Sequence, residues 1–328
     1  MINYSPEIHG VTQSLLKTFM QCPTKARIYL KGYYKPGFSE ALMFGSIFHE
    51  FLDVILTNTI LKNKDMSYSD FEIRIHGSPA PFEMKVRKRF EEEYENSDGN
   101  GKDIINKCIN LAWVIVPLYF NHWKEDFFGE KKKNWLCIEE EFNVNLGIPF
   151  RGKWDGVFGY GPNDVWIFET KTKGRINEDG LIKTVSRDFQ VLSYMVAYYL
   201  KYKVFPKGVI YNVVRKPGLR QGKSEDWYKF LHRIKEDIEK RPEWYFMRYE
   251  SSVSEESIKK FAFKLSNLIV QFVKWYKVSN IEDDIQNTSE CVNVYGTCPF
   301  IDYCNSNFSN KQGLQEKEKK LFSELSEV

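Results

Sequence analysis

Near residue 134 the hydrophobic pattern of this chain changes period, and that change limits the folds open to it. Before it, apolar residues recur at helical spacing. From Trp135 to Gly174, in WLCIEEEFNVNLGIPFRGKWDGVFGYGPNDVWIFETKTKG, the pattern reads as three strands joined by the turn stretches LGIP and GYGPND. Such short connections make an antiparallel meander. Its third strand ends unusually. Val165 to Phe168 are apolar, and then Glu169 and Lys171 follow with only Thr170 between them. Side chains at i and i+2 leave a strand on the same face, so an acid and a base stand side by side at the end of an apolar strand.

The flanking segments complete the frame. Helices are expected over Thr12 to Gly32, over Ser39 to Asn63 with Ser39 as cap, and roughly over 80–97 and 102–124, the last two separated by NSDGNGK. After the meander come a helix in SRDFQVLSYMVAYYLKY, a strand in KGVIYNVVRK, a helix capped by Ser224, a strand in EWYFMRYES and a long amphipathic helix from Ser254 to Val278. No repeat or linker divides the chain. One α/β domain is expected over residues 1–307, followed by a polar tail, 308–328, that should fray. The domain comprises a helical part at about 10–128, a sheet core at about 135–250, and a C-terminal helix and cysteine loop at 253–305.

Composition narrows the setting. The 328 residues are 42% hydrophobic and 28% charged, an ordinary soluble balance. The longest apolar run, Leu111 to Phe120, is far shorter than the ~20 residues of a membrane span. No signal-like segment opens the chain, so a cytoplasmic protein with no membrane partner is expected. Disulfides are then the lesser use for its six cysteines. Net charge is only +3, yet Lys201 to Lys223 holds seven Lys and Arg and no acid, which points to a polyanionic partner.

GYGPND places Asp155, in FRGKWDGVF, on a strand next to that of Glu169. Two carboxylates and one ammonium can then meet. Paired acids are unfavourable without a cation, and such oxygen donors suit Mg²⁺ or Mn²⁺. The plain alternative is a surface Glu–Lys pair at a strand end. The order Asp155-x13-Glu169-x-Lys171 across a hairpin resembles the core of the PD-(D/E)xK nucleases, in which the Pro is often missing, and here Trp154 precedes Asp155. FGSIFHEFLD resembles the G-x3-H helix of the RecB-type branch, with Gly45 and His49 on one helix face. DFQVLSYMVAYYL resembles its Q-x3-Y helix, with Gln190 and Tyr194. The resemblance runs from about residue 12 to 305.

It implies a restriction-endonuclease-like core, a mixed sheet flanked by helices, with Mg²⁺ or Mn²⁺ held by His49, Asp155 and Glu169. The catalytic set would be Asp155, Glu169, Lys171, Gln190 and Tyr194. The implied activity is a DNA nuclease, an exonuclease on single strands or duplex ends, in repair, recombination or phage- and CRISPR-related processing. Having no motor, it would rely on a helicase or recombination partner. Two alternatives stay open: a catalytically silent DNA-binding accessory of this fold, and an RNA-processing nuclease.

Cys291, Cys298 and Cys304 lie in ECVNVYGTCPFIDYCNS, and Cys22 lies far upstream in QCPTKARIYLKG. One early and three late cysteines are similar to the arrangement in iron–sulfur RecB-type nucleases, CRISPR-associated ones among them. The resemblance implies a 4Fe–4S cluster on these four thiolates. The C-x5-C spacing agrees with that pattern, whereas C-x6-C stands in place of C-x2-C. Structural zinc and plain buried thiols are the alternatives, and Cys108 and Cys137 read as core residues. Two motifs are decoys. GLRQGKS has three residues between its glycines where a phosphate-binding loop needs four, and HEFLD has Asp53 where a zinc protease has its second His.

Overall fold

Helices and sheet divide where the hydrophobic period changes. A computed structural model describes residues 3–37, 39–63, 66–77, 80–130, 132–161, 163–293, 296–316, 321, 322 and 325. The helical part contains β1 (Val11–Thr12), α1 (Gln13–Gln21), α2 (Pro23–Leu30), α3 (Glu40–Ile55), α4 (Tyr68–Gly77), α5 (Ala80–Arg89) and α6 (Gly99–His122). The meander follows as β2 (Asn134–Asn145), β3 (Pro149–Gly161) and β4 (Asp164–Lys173). Then come α7 (Phe189–Tyr202), β5 (Gly208–Arg215), α8 (Trp227–Lys240), β6 (Phe246–Ser252) and α9 (Glu255–Val278).

The sheet is mixed, in the order β1-β3-β4-β5-β6, with β2 paired along β3. α7 is the crossover that lays β5 parallel to β4, and β6 returns antiparallel. β5 is buried throughout, as expected for a strand covered on both faces. Alternate side chains feed two cores. Phe158, Phe168, Ile210 and Val214 pack with Phe44, Phe48 and Phe51 of α3 and Ile115 and Tyr119 of α6. Ile167, Val209, Tyr211 and Val213 face Val191, Met195 and Tyr194 of α7 and Leu265, Ile269 and Phe272 of α9. Each such side chain contributes about 1.5–3 kcal/mol when fully buried, so both layers are firmly seated. α6 has the length and hydropathy to cross a membrane, yet Ile105, Ile109, Ala112, Ile115 and Val116 are buried in the core.

Several elements differ from the sequence reading. The expected helix 12–32 is two helices, because Pro23 lacks the N–H that would continue α1 and holds Cys22 extended as the cap between them. α3 passes into a π-helical turn, Leu56–Leu61. The 80–97 stretch divides into α5 and Glu91–Glu95, and α4 was not anticipated. Asp226, not Ser224, caps α8 by accepting from Lys229 N at 3.0 Å. In EWYFMRYES the helix Pro242–Tyr245 precedes β6. The tail expected to fray packs where it is described. Gln315–Glu316 pairs with Tyr33–Tyr34, Leu321, Phe322 and Leu325 are buried, and Tyr29 donates to Leu321 O at 2.6 Å.

Candidate active site

The meander register lines up three acids. β2 pairs Ile138 with Gly156 and Glu140 with Trp154, so Glu139 lies opposite Asp155. β4 pairs Phe168 with Gly156, the last pair before β3 and β4 part, so Glu169 faces Asp155 across the fork. Glu139, Asp155 and Glu169 thus form one row across three strands. Asp155 Oδ2 closes the fork by accepting from Thr170 N at 2.7 Å. Glu139 has a φ of +48°, a left-handed backbone that costs a non-glycine residue about 1–2 kcal/mol. Such strain in mid-strand characteristically sits at functional sites.

α3 delivers His49 to this row because it packs unusually close to β4. A side chain at Gly45 would place its Cβ 2.9 Å from Thr172 Oγ1, so any larger residue would have to displace Thr172 or the helix. One turn later, His49 Nδ1 lies 3.7 Å from Asp155 Oδ2 and 3.8 Å from Glu139 Oε1. Ligand atoms of His49, Glu139 and Asp155 all fall within 4.8 Å of one another, the one such group among the described residues. Burial works against a charged imidazole here. Asp155 and Glu139 outweigh it and raise the His49 pKa. The groups that attract that proton are also those that would attract a cation.

Glu169 is fully buried, and its Oε2 has no hydrogen-bond partner among the described residues. Burial, reinforced by Asp155 and opposed by Lys171, pushes its carboxyl up to about 8. Lys171 Nζ donates to Glu169 Oε1 at 2.5 Å and to Gln190 Oε1 at 2.9 Å. Burial disfavours its charge, but Glu169 and Asp155 prevail and hold the ammonium above its usual range. Both shifts run upward, so the pair retains its proton. Gln190 Nε2 in turn donates to Tyr194 Oη at 3.0 Å. Gln190 and Tyr194 are therefore joined to Lys171 in one chain of hydrogen bonds, set by their i, i+4 spacing on α7. The buried, unpartnered carboxylate oxygen beside imidazole and two further acids is a donor set that fits Mn²⁺ or Mg²⁺.

Sequence reasoning missed Glu139. Its signal was there: three consecutive glutamates, Glu139 to Glu141, interrupt the alternation of β2 on the strand that LGIP folds back against Asp155. Lys153 secures it, with Nζ 2.5 Å from Glu139 Oε2. The basic stretch is partly consumed in the fold. Lys201 bonds Glu140, Lys216 bonds Glu40, and buried Arg215 stacks 3.7 Å from the Trp244 ring centre.

Cys22, Cys291, Cys298 and Cys304 lie together at a corner remote from this row in sequence. Burial pushes the Cys304 thiol up to about 11, and Cys298, Cys22 and Cys291 add to the shift. Cys291 is raised by burial, then by Cys298 and Cys22. The chain ends are tied there directly. Arg27 Nε donates to buried Asp284 at 2.6 Å and its guanidinium lies 4.2 Å from the Trp275 ring centre, while Asn287 donates to Gln21 O at 2.7 Å. Cys108 and Cys137 are buried in separate cores.

A profile of the PD-(D/E)XK nuclease superfamily matches residues 11–305, and the chain belongs to that superfamily. Its fold is the restriction-endonuclease-like mixed sheet flanked by helices. A candidate exonuclease of solved structure from Eubacterium rectale is similar at 12% identity and a TM-score of 0.48, with 94% of each chain covered. Curated proteins give no match.

Proposed function

We propose that this protein is a divalent-metal-dependent deoxyribonuclease that removes nucleotides from DNA strand ends. The observation that carries the reading is the row of Glu139, Asp155 and Glu169 closed by His49, with a buried carboxylate oxygen left unpartnered beside Lys171. A purely binding protein gains nothing from acids gathered at such cost. Mn²⁺ or Mg²⁺ would be held by His49, Asp155 and Glu169, with Glu139 as a further donor. When bound, the cation supplies Lewis acidity that polarises a phosphoryl oxygen.

The chain's own groups do the rest. Lys171 is held charged and aimed by Glu169 and Gln190, so it acts as a fixed donor to charge developing on the phosphate, not as a base. Tyr194 steadies Gln190, and Thr170 N holds Asp155. Cys22, Cys291, Cys298 and Cys304 are proposed to bind a 4Fe–4S cluster that ties α2 to the C-terminal loop, outside the phosphate chemistry. A cytoplasmic role in repair, recombination or defence-related DNA processing, beside a partner that unwinds the duplex, fits a nuclease that acts on strand ends.

The test is digestion of end-labelled single-stranded DNA, duplex DNA and RNA with Mn²⁺, Mg²⁺ or chelator. Metal-dependent shortening of DNA from one end is expected. Cleavage of RNA alone would replace the reading with an RNA-processing one, and binding without any cleavage would replace it with a silent accessory.

A further inference from the structure

Beyond His49, α3 continues into a cleft of about 530 Å³. Its walls come from two separate elements. Asp53, Asn58 and Lys62 line one side from the end of α3 and the π-helical turn, and Lys85, Lys88 and Arg89 of α5 line the other. Four cations therefore face a single carboxylate in a concave space. Asp53 follows His49 by one turn on the same helix face, so the cleft opens directly beside the carboxylate row.

The cations are not spent on one another's neighbours. Arg89 is braced, with Nε 3.1 Å from Glu50 and Nη2 3.5 Å from Asp53. Among the described residues Lys85 donates only to the neutral Asn58, at 3.0 Å. Lys62 and Lys88 are exposed, and their side chains make no ion pair or hydrogen bond among the described residues. The wall itself is unusual. A π-helical turn is rare and concentrates at functional sites, and here Asn58 and Thr59 bond back to Val54 O and Ile55 O at 2.5 Å each to hold it. This turn presents Asn58 and Lys62 to the cleft.

We propose that this cleft is a second phosphate subsite, which grips the backbone of the DNA strand at phosphates flanking the one being cut. From His49 to Asn58 is about 13 Å of helix at 1.5 Å per residue, enough for a few nucleotides of strand. The subsite positions the strand and sets affinity; it takes no part in bond cleavage. The proposal rests on the nuclease reading for its choice of ligand.

It is tested with the full chain carrying Lys62→Gln, Lys85→Gln and Lys88→Gln together, leaving the braced Arg89 in place. Binding of a fluorescein-labelled single strand is measured in Ca²⁺, so that the strand survives, across a range of salt. Kd should rise roughly 10–100-fold, and the log–log salt slope should fall by about 2, at ~0.7 for each lost contact on a single strand. With Mn²⁺, KM should rise and kcat stay within about twofold. An unchanged Kd and slope in a folded triple variant overturns the proposal. If the triple variant does not fold, Lys88→Gln alone decides the matter, because its exposed side chain bears no structural contact: a slope lowered by ~0.7 supports the subsite, and an unchanged slope overturns it. Asp155→Asn separates the two readings. It should abolish cleavage and leave strand binding sensitive to the lysine changes, whereas undiminished cleavage in Asp155→Asn would remove the active-site assignment and leave the subsite standing.

Discussion

The carboxylate row and the cysteine corner both gather residues far apart in sequence, and they do so by opposite means. Glu139, Asp155 and Glu169 sit on adjacent strands whose ladders hold each one in register, and Glu169 is sealed between sheet and α7. The cysteines sit in or beside short, separate elements with no shared ladder. Cys22 occupies a helix break, Cys291 and Cys298 flank the short antiparallel pair Val292–Asn293 with Gly296–Thr297, where Cys298 N donates to Cys291 O at 2.7 Å, and Cys304 lies in the five-residue helix Ile301–Asn305. The row offers oxygen and imidazole nitrogen, which suit hard or borderline cations, and the corner offers sulfur. Rigid elements hold groups to the tolerance that transition-state stabilisation needs. Loops that close almost the whole chain are better placed to restrict the unfolded state, since closure entropy grows with loop length. The contrast predicts that damage to the row is lost rate and damage to the corner is lost stability.

The largest effect tests that division directly. Asp155→Asn and Glu169→Gln should each lower DNA cleavage by ~10²-fold or more without lowering the melting temperature. Cys298→Ala should instead lower melting by roughly 5–10 °C if loss of the staple costs what loss of a native cross-link does. Its activity per folded molecule should stay within a few-fold. Protein purified without oxygen should be brown and bleach in this variant. Colourless protein with stoichiometric zinc would make the corner a zinc site, and protein with neither metal would make these four ordinary thiols. A Cys298→Ala protein of full stability with no activity would break the comparison.

A middle-sized effect asks which groups hold the cation. His49→Ala and Glu139→Gln should raise the Mn²⁺ needed for half-maximal cleavage by ~10–100-fold, with rescue at high Mn²⁺. Titration of activity against Mn²⁺ checks this. A Glu139→Gln protein with an unchanged requirement would leave Glu139 as a partner of Lys153 alone.

The remaining effect is in stability against pH. The Glu169 carboxyl is raised from an ordinary 4.5 to about 8 by burial and by Asp155. Across that window the folded chain keeps a proton that the unfolded chain gives up, so metal-free stability should fall as pH rises from about 4.5 to 8. Glu169→Gln has no such proton and should flatten the fall, and saturating Mn²⁺, competing with the proton, should do likewise. Denaturant midpoints at several pH values measure it. A metal-free wild type that gains stability across the window would show that burial does not govern Glu169.

Much of the site was legible because it obeys local periods. The i, i+2 rule placed Glu169 beside Lys171, and the i, i+4 rule placed Gly45 before His49 and Gln190 before Tyr194. The short turns of the meander made Asp155 a neighbour of Glu169. Glu139 was not read, because three equivalent glutamates stand in a row and only the pairing of Ile138 with Gly156 says which one faces Asp155. The break at Cys22 was written in Pro23, but a strong helical pattern on both sides hid it. Leu321, Phe322 and Leu325 lay in a segment too polar on average to announce that it packs.

The sequence by itself determined the change from helices to strands, the antiparallel meander and the identity of the acid–base pair, since each depends on neighbours within a few residues. Only the tertiary structure decided that the fork between β3 and β4 opens where it does, that Glu169 is sealed from water with one oxygen unpartnered, and that α3 comes close enough through Gly45 to add His49. It also decided that Lys201, Arg215 and Lys216 serve the fold while Lys62 and Lys88 line a cleft. Burial and charge balance at a point depend on everything packed around it, and those neighbours arrive from elements up to hundreds of residues apart.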